Sequence, residues 1–130
     1  MNRHSAREFI LRALYQREFV DTPLPEMLSE VDPGEQDEYI KQVFNGILSH
    51  RKEIDELLGK HTVGWRFDRL ALIDRNILRL GAYELLYSDE VPPEVAIDEA
   101  VELAKEYGTE NAQAFINGIL DRLWEEKKGK

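Results

Sequence analysis

Apolar residues recur at three- and four-residue steps along most of the chain, which is the spacing of amphipathic α-helices. The first such segment runs from about Ser5 to Phe19, with Ser5 as a candidate N-cap. Prolines break the chain at 22–25 and 32–34, and one short helix is predicted between them by Met27, Leu28 and Val31. No stretch shows the sustained polar–apolar alternation of a half-buried strand, so the pattern predicts an all-α fold.

A long helical pattern follows in the middle of the sequence. From Glu35 it predicts one long helix, or two helices joined near His50, with Gly59 as a C-terminal stop. A turn containing Gly64 separates it from the stretch 68–87, which is apolar on most faces. A helix of that kind is buried or shared between two cores, so 68–87 is predicted to be the central helix.

Two further helices complete the prediction. One begins after Val91-Pro92-Pro93 and is ended by Gly108, and the last is expected to be capped by Thr109. Residues 1–130 are expected to form one domain, with an N-terminal helical subdomain over about 1–64 and a C-terminal one over about 65–130. The Asn-Gly pairs at 45–46 and 117–118 fall inside helical periodicity, and each glycine is expected to let a neighbouring helix come close.

The charges are distributed unevenly. The net charge is −9, but residues 1–17 hold four arginines against one glutamate, a net +3, so the remainder carries −12. A basic start on an acidic body is typical of a local polyanion site. A solvated helix whose arginines balance the acidic surface explains the same charges.

Few residues have the spacing that catalysis or metal binding needs. There is no cysteine, and the three histidines lie in unrelated segments, so neither a metal site nor a cofactor is expected. No nucleotide-binding glycine motif or nucleophile elbow occurs. The pairs Asp98/Glu102 and Glu99/Glu102 are explained by a solvated helix face. Glu84 lies in an apolar arc, where a structural carboxylate, either paired with an arginine or capping a neighbouring helix, is favoured over a catalytic one. No catalytic residue and no enzymatic activity are predicted.

The composition favours a cytoplasmic protein. The absence of cysteine fits a reducing compartment, and the polar start, with no apolar h-region, is not that of a signal peptide. Apolar runs are far shorter than the roughly 20 residues of a membrane-spanning helix.

The first helix carries a candidate RNA-binding row. Arg3, Arg7 and Tyr15 are spaced i, i+4 and i+12 along it. Guanidinium groups bind phosphates and a tyrosine ring can stack on an unpaired base, which favours single-stranded RNA over duplex DNA. A tyrosine that covers the core is the alternative interpretation.

A second candidate surface lies on the central helix. Asp74, Arg75 and Arg79 interrupt an otherwise apolar segment, and charges on an apolar strip are typical of protein–protein interfaces. Salt bridges to neighbouring helices explain these charges equally well.

The sequence resembles the NusB family. The resemblance is carried by the segment Phe67-Asp-Arg-Leu-Ala-Leu-Ile-Asp-Arg-Asn-Ile-Leu-Arg-Leu-Gly-Ala-Tyr-Glu-Leu85, by Val91 to Gly108 and by Phe115-Ile-Asn-Gly-Ile-Leu-Asp121. The start, Arg3-x-x-x-Arg7 followed by Ala13-Leu14-Tyr15, is similar to the opening of the family.

The resemblance implies two three-helix bundles that share a long central helix. It also implies an antitermination factor that pairs with NusE, a small-subunit ribosomal protein, binds boxA RNA, and acts with RNA polymerase on ribosomal RNA operons. The implied RNA-binding residues are Arg3, His4, Arg7, Tyr15, Lys60, Lys105, Tyr107, Asn111 and Phe115. The implied partner surface consists of Asp74, Arg75 and Leu78. Members occur as monomers and as homodimers, so a homodimer is compatible with the resemblance.

Two alternatives stay open at this point. Some ribosomal RNA methyltransferases begin with a NusB-like domain, although the charged stretch 125–130 leaves no room for a cofactor-binding sheet. A protein-binding adaptor without an RNA role is the other.

Overall fold

The computed structural model describes residues 1–62 and 66–129, and every regular element in these two ranges is helical. The predicted all-α fold is therefore confirmed. Two single-turn 3₁₀-helices, Gly34–Gln36 and Phe67–Arg69, precede the third and fifth α-helices. The α-helices are α1 (Arg3–Arg17), α2 (Leu24–Leu28), α3 (Asp37–Ser49), α4 (Arg51–Lys60), α5 (Leu72–Tyr87), α6 (Pro93–Tyr107) and α7 (Ala112–Lys128).

Two predicted helix caps are wrong. The side chain of Asn2, not Ser5, caps α1, because its Oδ1 accepts a hydrogen bond from the backbone N–H of Ser5 at 2.8 Å. The last helix begins after Asn111, whose backbone is left-handed at φ 67°, and Thr109 lies outside it. In both places several polar residues compete for the cap, and the sequence does not show which one the turn selects.

The long middle pattern resolves into two helices. The break is at His50, as the second of the two predicted arrangements has it. Gly59 is not the stop, because it is still helical and α4 ends at Lys60. Gly108 does end α6 as predicted. The expected subdomain boundary near 64 stays a prediction, since it and the Gly64 turn lie outside the described residues.

The central helix α5 packs against α1, α3 and α4 on one side and against α6 and α7 on the other. Its side chains Ile77, Leu78 and Leu80 are at most 1% exposed. Burial on most faces explains why its sequence is apolar nearly all round. One continuous hydrophobic cluster joins both sides.

The two Asn-Gly glycines have different surroundings. A side chain at Gly46 would overlap the ring of Tyr83, so this glycine does let α5 approach α3. Gly118 instead faces Arg122 of its own helix, with an added Cβ 3.2 Å from Nη1. The expectation of a close helix neighbour is therefore correct for Gly46 and wrong for Gly118.

A partly buried ion network ties α5 to α4 and to the end of α1. Arg79, 3% exposed, donates to both carboxylate oxygens of Asp55 at 2.8 and 3.0 Å. It also donates to Glu18 at 3.2 Å and to Asn76 at 2.9 Å. Arg79 is thus structural, as the salt-bridge interpretation of the central helix allowed.

Candidate RNA and partner-binding surfaces

The predicted row of Arg3, Arg7 and Tyr15 does not form one exposed edge. Arg7 is 3% exposed and lies against Glu84, which is 1% exposed. Its Nε donates to Glu84 Oε1 at 2.8 Å and its Nη2 to Oε2 at 3.1 Å. The structural interpretation of Glu84 is therefore confirmed. Arg7 is engaged inside the fold, and its predicted contact with RNA stays a prediction.

The Arg7–Glu84 pair is completed by neighbours from α3 and α6. Tyr39 donates its hydroxyl to Glu84 Oε2 at 3.1 Å, and Glu99 lies 3.8 Å from Arg7 Nη1. Burial lowers the pKa of Arg7, but the hydrogen bonds and charge of Glu84 outweigh it, so the net shift is upward. Burial, followed by the charge of Glu84, raises the pKa of the Tyr39 hydroxyl. The guanidinium of Arg7 therefore stays protonated and the phenol of Tyr39 stays neutral.

Arg3 is half-buried at the start of α1 and is already engaged. Its Nε donates to Gln36 Oε1 at 2.7 Å, and its guanidinium lies 3.8 Å from the centre of the Tyr39 ring. An RNA contact by Arg3 stays a prediction. Arg12, which the sequence reasoning left out, is exposed and forms no ion pair with any residue in the described ranges.

The outer face of α1 meets the end of α6. His4 Nε2 lies 3.1 Å from Glu106, and its Nδ1 lies 3.2 Å from Glu99. Tyr107 donates its hydroxyl to Glu8, one turn after His4. His4 and Tyr107, both predicted to bind RNA, are thus brought together. Glu99 is a partner of His4 and Arg7, so its interpretation as a merely solvated residue is wrong.

The carboxylates around His4 shift its titration. The hydrogen bond to Glu99 is the main cause that raises the pKa of His4 above the ordinary 6.5, and the charges of Glu106 and Glu8 add to it. Protonated His4 therefore stabilises the fold at low pH, and this contribution is lost as pH rises through the raised pKa.

We expect His4→Gln to be less stable than the wild type near about pH 5.5 and equal to it near about pH 8.5. The side chain is 36% exposed, so screening keeps the difference below about 1 kcal/mol. Urea denaturation of both proteins in EDTA, at several pH values, measures it. A stability difference between the two proteins that grows with pH would contradict the raised pKa of His4.

A metal ion is not needed to explain this cluster. His4, Glu8 and Glu106 offer ligand atoms within 4.8 Å of one another, but hydrogen bonds already engage all three side chains. The sequence prediction of no metal site stays a prediction.

Three other residues predicted to bind RNA lie away from the face formed by His4, Glu8 and Tyr107, or at its far end. Lys105 is exposed but precedes Tyr107 by two residues, and such positions do not share a helix face. Lys60 is exposed beside His61, which contacts Glu126 near the end of α7. Tyr15 is 40% exposed two turns beyond Glu8, where its ring packs edge-on against the ring of Phe19 with the ring centres 5.3 Å apart.

A groove of about 400 Å³ opens between the start of α5 and the turn that joins α6 to α7. The turn that borders this groove directly follows Tyr107 in the chain. Asn111 and Phe115, both predicted to bind RNA, line it, together with Arg69, Leu70, Ala71, Asp74, Thr109, Glu110 and Ala114. Arg69 was not predicted; it is exposed and forms no ion pair within the described residues.

The predicted partner surface on α5 is largely buried. Leu78 is 0% exposed and Asp74 1% exposed in the isolated chain, so the structure does not present them as an open face, and their role in partner binding stays a prediction. Asp74 accepts hydrogen bonds from the backbone N–H and the hydroxyl of Thr109, which fixes the turn at the groove. Arg75 is half-buried and stays a prediction; its Nε has no hydrogen-bond partner among the described residues.

In the part of the chain that the structure describes, no helix is both long and apolar enough to span a membrane.

A family profile and two curated relatives that match this chain share the name NusB. A profile described as the NusB family matches residues 4–125. The chain is 40% identical over 124 residues to transcription antitermination protein NusB of Bacillus subtilis (strain 168), covering 95% of each chain. It is 42% identical over 130 residues to the protein of that name from Myxococcus xanthus (strain DK1622), covering 93% of each.

Solved structures agree with these sequence matches. T. maritima NusB superposes with a TM-score of 0.87 at 41% identity, over 97% of this chain and 92% of that one. A crystal structure of antitermination factors NusB and NusE in complex with dsRNA superposes with a TM-score of 0.82 at 29% identity, over 95% and 96%. The buried Arg7–Glu84 pair, the shared central helix and the groove beside α7 therefore belong to a member of the NusB family.

Proposed function

We propose that the protein is a non-enzymatic, cytoplasmic transcription antitermination factor that binds RNA and a NusE-type ribosomal protein together. Relatives about 40% identical over nearly the whole chain bear the antitermination name. A relative solved with NusE and double-stranded RNA supports both ligands. The RNA that we expect is the boxA element of nascent ribosomal RNA, bound within the antitermination complex of RNA polymerase.

The groove beside α7 is the observation that carries the RNA part of the proposal. Arg69 supplies a cation for phosphate, Asn111 an amide for a base edge, and Phe115 an aromatic side chain. The charge of Asp74 at the groove is already hydrogen-bonded to Thr109. The combination of cation, amide and aromatic ring suits RNA better than a small metabolite.

The path of the RNA is expected to continue from this groove to the outer face of α1. Tyr107, 39% exposed, directly precedes the turn that forms the groove. His4 and the unpaired Arg12 lie on the α1 side of Tyr107. Because rings stack on unpaired bases, we expect single-stranded boxA RNA to bind better than a duplex of the same sequence.

The test is to titrate labelled boxA RNA against wild type, Arg69→Gln and Arg66→Gln. Each substitution removes the charge of one exposed arginine, and the two positions are three residues apart. Arg66, however, is paired with Asp68 at 3.0 Å and does not line the groove. Arg69→Gln should reduce the slope of log affinity against log salt by about one, and Arg66→Gln should not. Equal effects of the two substitutions would exclude the groove as the RNA site.

The proposed pairing is tested in the same assay. Adding NusE should tighten RNA binding, and RNA should tighten NusE binding by the same factor, because the coupling is reciprocal. Absence of any RNA binding by the wild type, with and without NusE, would overturn the proposed function.

A further inference from the structure

Three side chains that can bind a metal ion converge where α1 meets the end of α6. His4 and Glu8 are one turn apart on α1, and Glu106 belongs to the last turn of α6. One ligand atom from each lies within 4.8 Å of the other two. His4 Nε2 is 3.1 Å from Glu106 Oε1 and 3.9 Å from Glu8 Oε1. Ligands of a tetrahedral zinc ion, with bonds of about 2.1 Å, are about 3.4 Å apart, so these atoms already have nearly that spacing.

Neighbouring groups orient two of the three ligands. Glu99 Oε2 lies 3.2 Å from Nδ1 of His4. In the neutral tautomer whose Nδ1–H donates to Glu99, the lone pair is on Nε2, the nitrogen that faces Glu8 and Glu106. Tyr107 donates its hydroxyl to Oε2 of Glu8, which leaves Oε1 on the side of His4. Histidines that bind metals characteristically have such a carboxylate partner on the second ring nitrogen, because it fixes the tautomer and the ring orientation.

The charges at this point favour a cation that comes from solvent. Within the described ranges, the recorded ion pairs of Glu8 and Glu106 are with His4 and with no lysine or arginine. The nearest buried cation, Arg7, is bound to Glu84 by two hydrogen bonds. The side chains of His4, Glu8 and Glu106 are 36%, 22% and 40% exposed, so a hydrated ion can reach them.

We propose that His4, Glu8 and Glu106 bind a divalent ion of the zinc class, through His4 Nε2 and one oxygen of each glutamate. The imidazole nitrogen selects zinc and similar transition metals over Mg²⁺ and Ca²⁺, which prefer a larger set of oxygen ligands. The ion replaces only the hydrogen between His4 Nε2 and Glu106, and the hydrogen bonds that Glu99 and Tyr107 form with the cluster are kept.

The bound ion also has a consequence for RNA, which rests on the proposed function. Three protein ligands leave the fourth position of a tetrahedral ion open. Tyr107 borders the cluster and lies on the proposed RNA path, so a phosphate oxygen of the RNA is expected to take this position. Without the ion, the carboxylates repel phosphate there; with it, the same point attracts phosphate.

This site departs from the expectation of no metal drawn from the sequence. His4 and Glu106 are 102 positions apart, and only the packing of α6 beside α1 brings them together. The spacing of histidines along the chain therefore carries no signal of it.

The experiment titrates Zn²⁺ into the untagged full chain, first treated with EDTA and dialysed, and follows binding by calorimetry. The wild type should bind one equivalent, and Mg²⁺ should bind at least about tenfold more weakly. His4→Gln and Glu106→Gln should each weaken zinc binding by more than about tenfold. His61→Gln and Glu102→Gln are the matched controls and should bind as the wild type does. His61 also contacts one glutamate, Glu126, and Glu102 is an exposed glutamate one turn before Glu106.

A second titration, of labelled boxA RNA in Zn²⁺ and in EDTA, tests the consequence for RNA. Zinc should tighten RNA binding by the wild type about fivefold or more, and by His4→Gln much less. The His4→Gln protein also shows how much of the effect comes from zinc bound to the RNA itself.

The two titrations separate the possible failures. If the wild type does not bind Zn²⁺, or if His4→Gln and Glu106→Gln bind it as tightly as the controls do, the metal site is excluded. If zinc binds as expected but tightens RNA binding equally in wild type and His4→Gln, the open position does not hold a phosphate. If the wild type binds no RNA in either condition, the proposed function fails, and calorimetry alone still decides the metal site.

Discussion

Replacing Glu84 with leucine is expected to lower the free energy of unfolding by about 3–5 kcal/mol. The substitution leaves the guanidinium of Arg7, which is 3% exposed, without its carboxylate, and removes the acceptor of the Tyr39 hydroxyl. Small domains are stable by only about 5–15 kcal/mol, so a large part of the margin is lost. Urea denaturation followed by circular dichroism measures the change.

Two further variants separate the buried pair from a general effect of losing a glutamate. Glu102→Leu makes the same change at an exposed position of α6 and should alter stability by no more than about 0.5 kcal/mol. Arg7→Met combined with Glu84→Leu should recover much of the loss, because an apolar pair replaces an uncompensated charge. A double variant that is less stable than either single one would contradict this account.

Gly46→Ala is expected to destabilise the protein by about 1–3 kcal/mol, the cost of overpacking a core. In an ordinary helix the same substitution stabilises by roughly 0.5–1 kcal/mol, so the expected sign is reversed. The reason is the ring of Tyr83, which occupies the space of an added Cβ. Thermal and urea denaturation both report the difference.

Gly59→Ala is the matched control for this reversal. Gly59 is also helical, but nothing lies within 4 Å of an added Cβ. It should stabilise the protein by up to about 1 kcal/mol. Tyr83→Leu should cost less in the Gly46→Ala background than in wild type, since the two side chains compete for one volume. If both alanine variants shift stability in the same direction, the close approach of α3 and α5 is not what makes Gly46 necessary.

The helices could be predicted from the sequence because burial imposes its period directly on the apolar residues. The central position of α5 could be predicted because its apolar surface is too wide to be covered by one neighbouring helix. The caps were less predictable. Asn2, Ser5 and Thr109 all have side chains that can cap, and the choice among them depends on the backbone of the preceding turn.

The direction of charged side chains was predicted least well. Arg7 and Tyr15 are eight residues apart, so at about 100° per residue they are turned by roughly 80° from each other. Arg7 in fact follows the phase of Ile10 and Leu14, which is a signal of burial that the sequence does contain. That its partner would be Glu84, 77 positions away, depends on the docking of α1 onto α5 and is not local information.

Phe19 and Arg69 also differ in how far their positions could be predicted from the sequence. Phe19 is nine residues after the buried Ile10, about 180° round the helix, so its exposure could have been predicted. Arg69 has no such signal, because it lies in a single 3₁₀ turn before α5. Its place in the groove depends on the packing of the turn at 108–111.

The hydrogen bonds from Thr109 to Asp74 have a consequence for how the groove recognises its ligand. A buried carboxylate holds the wall of the groove in one shape before anything enters it, so little conformational freedom remains to be lost on association. For the RNA site that we propose, selectivity is then expected to come from rejecting bases that do not match a rigid template, and not from a loop that adapts its shape to each transcript.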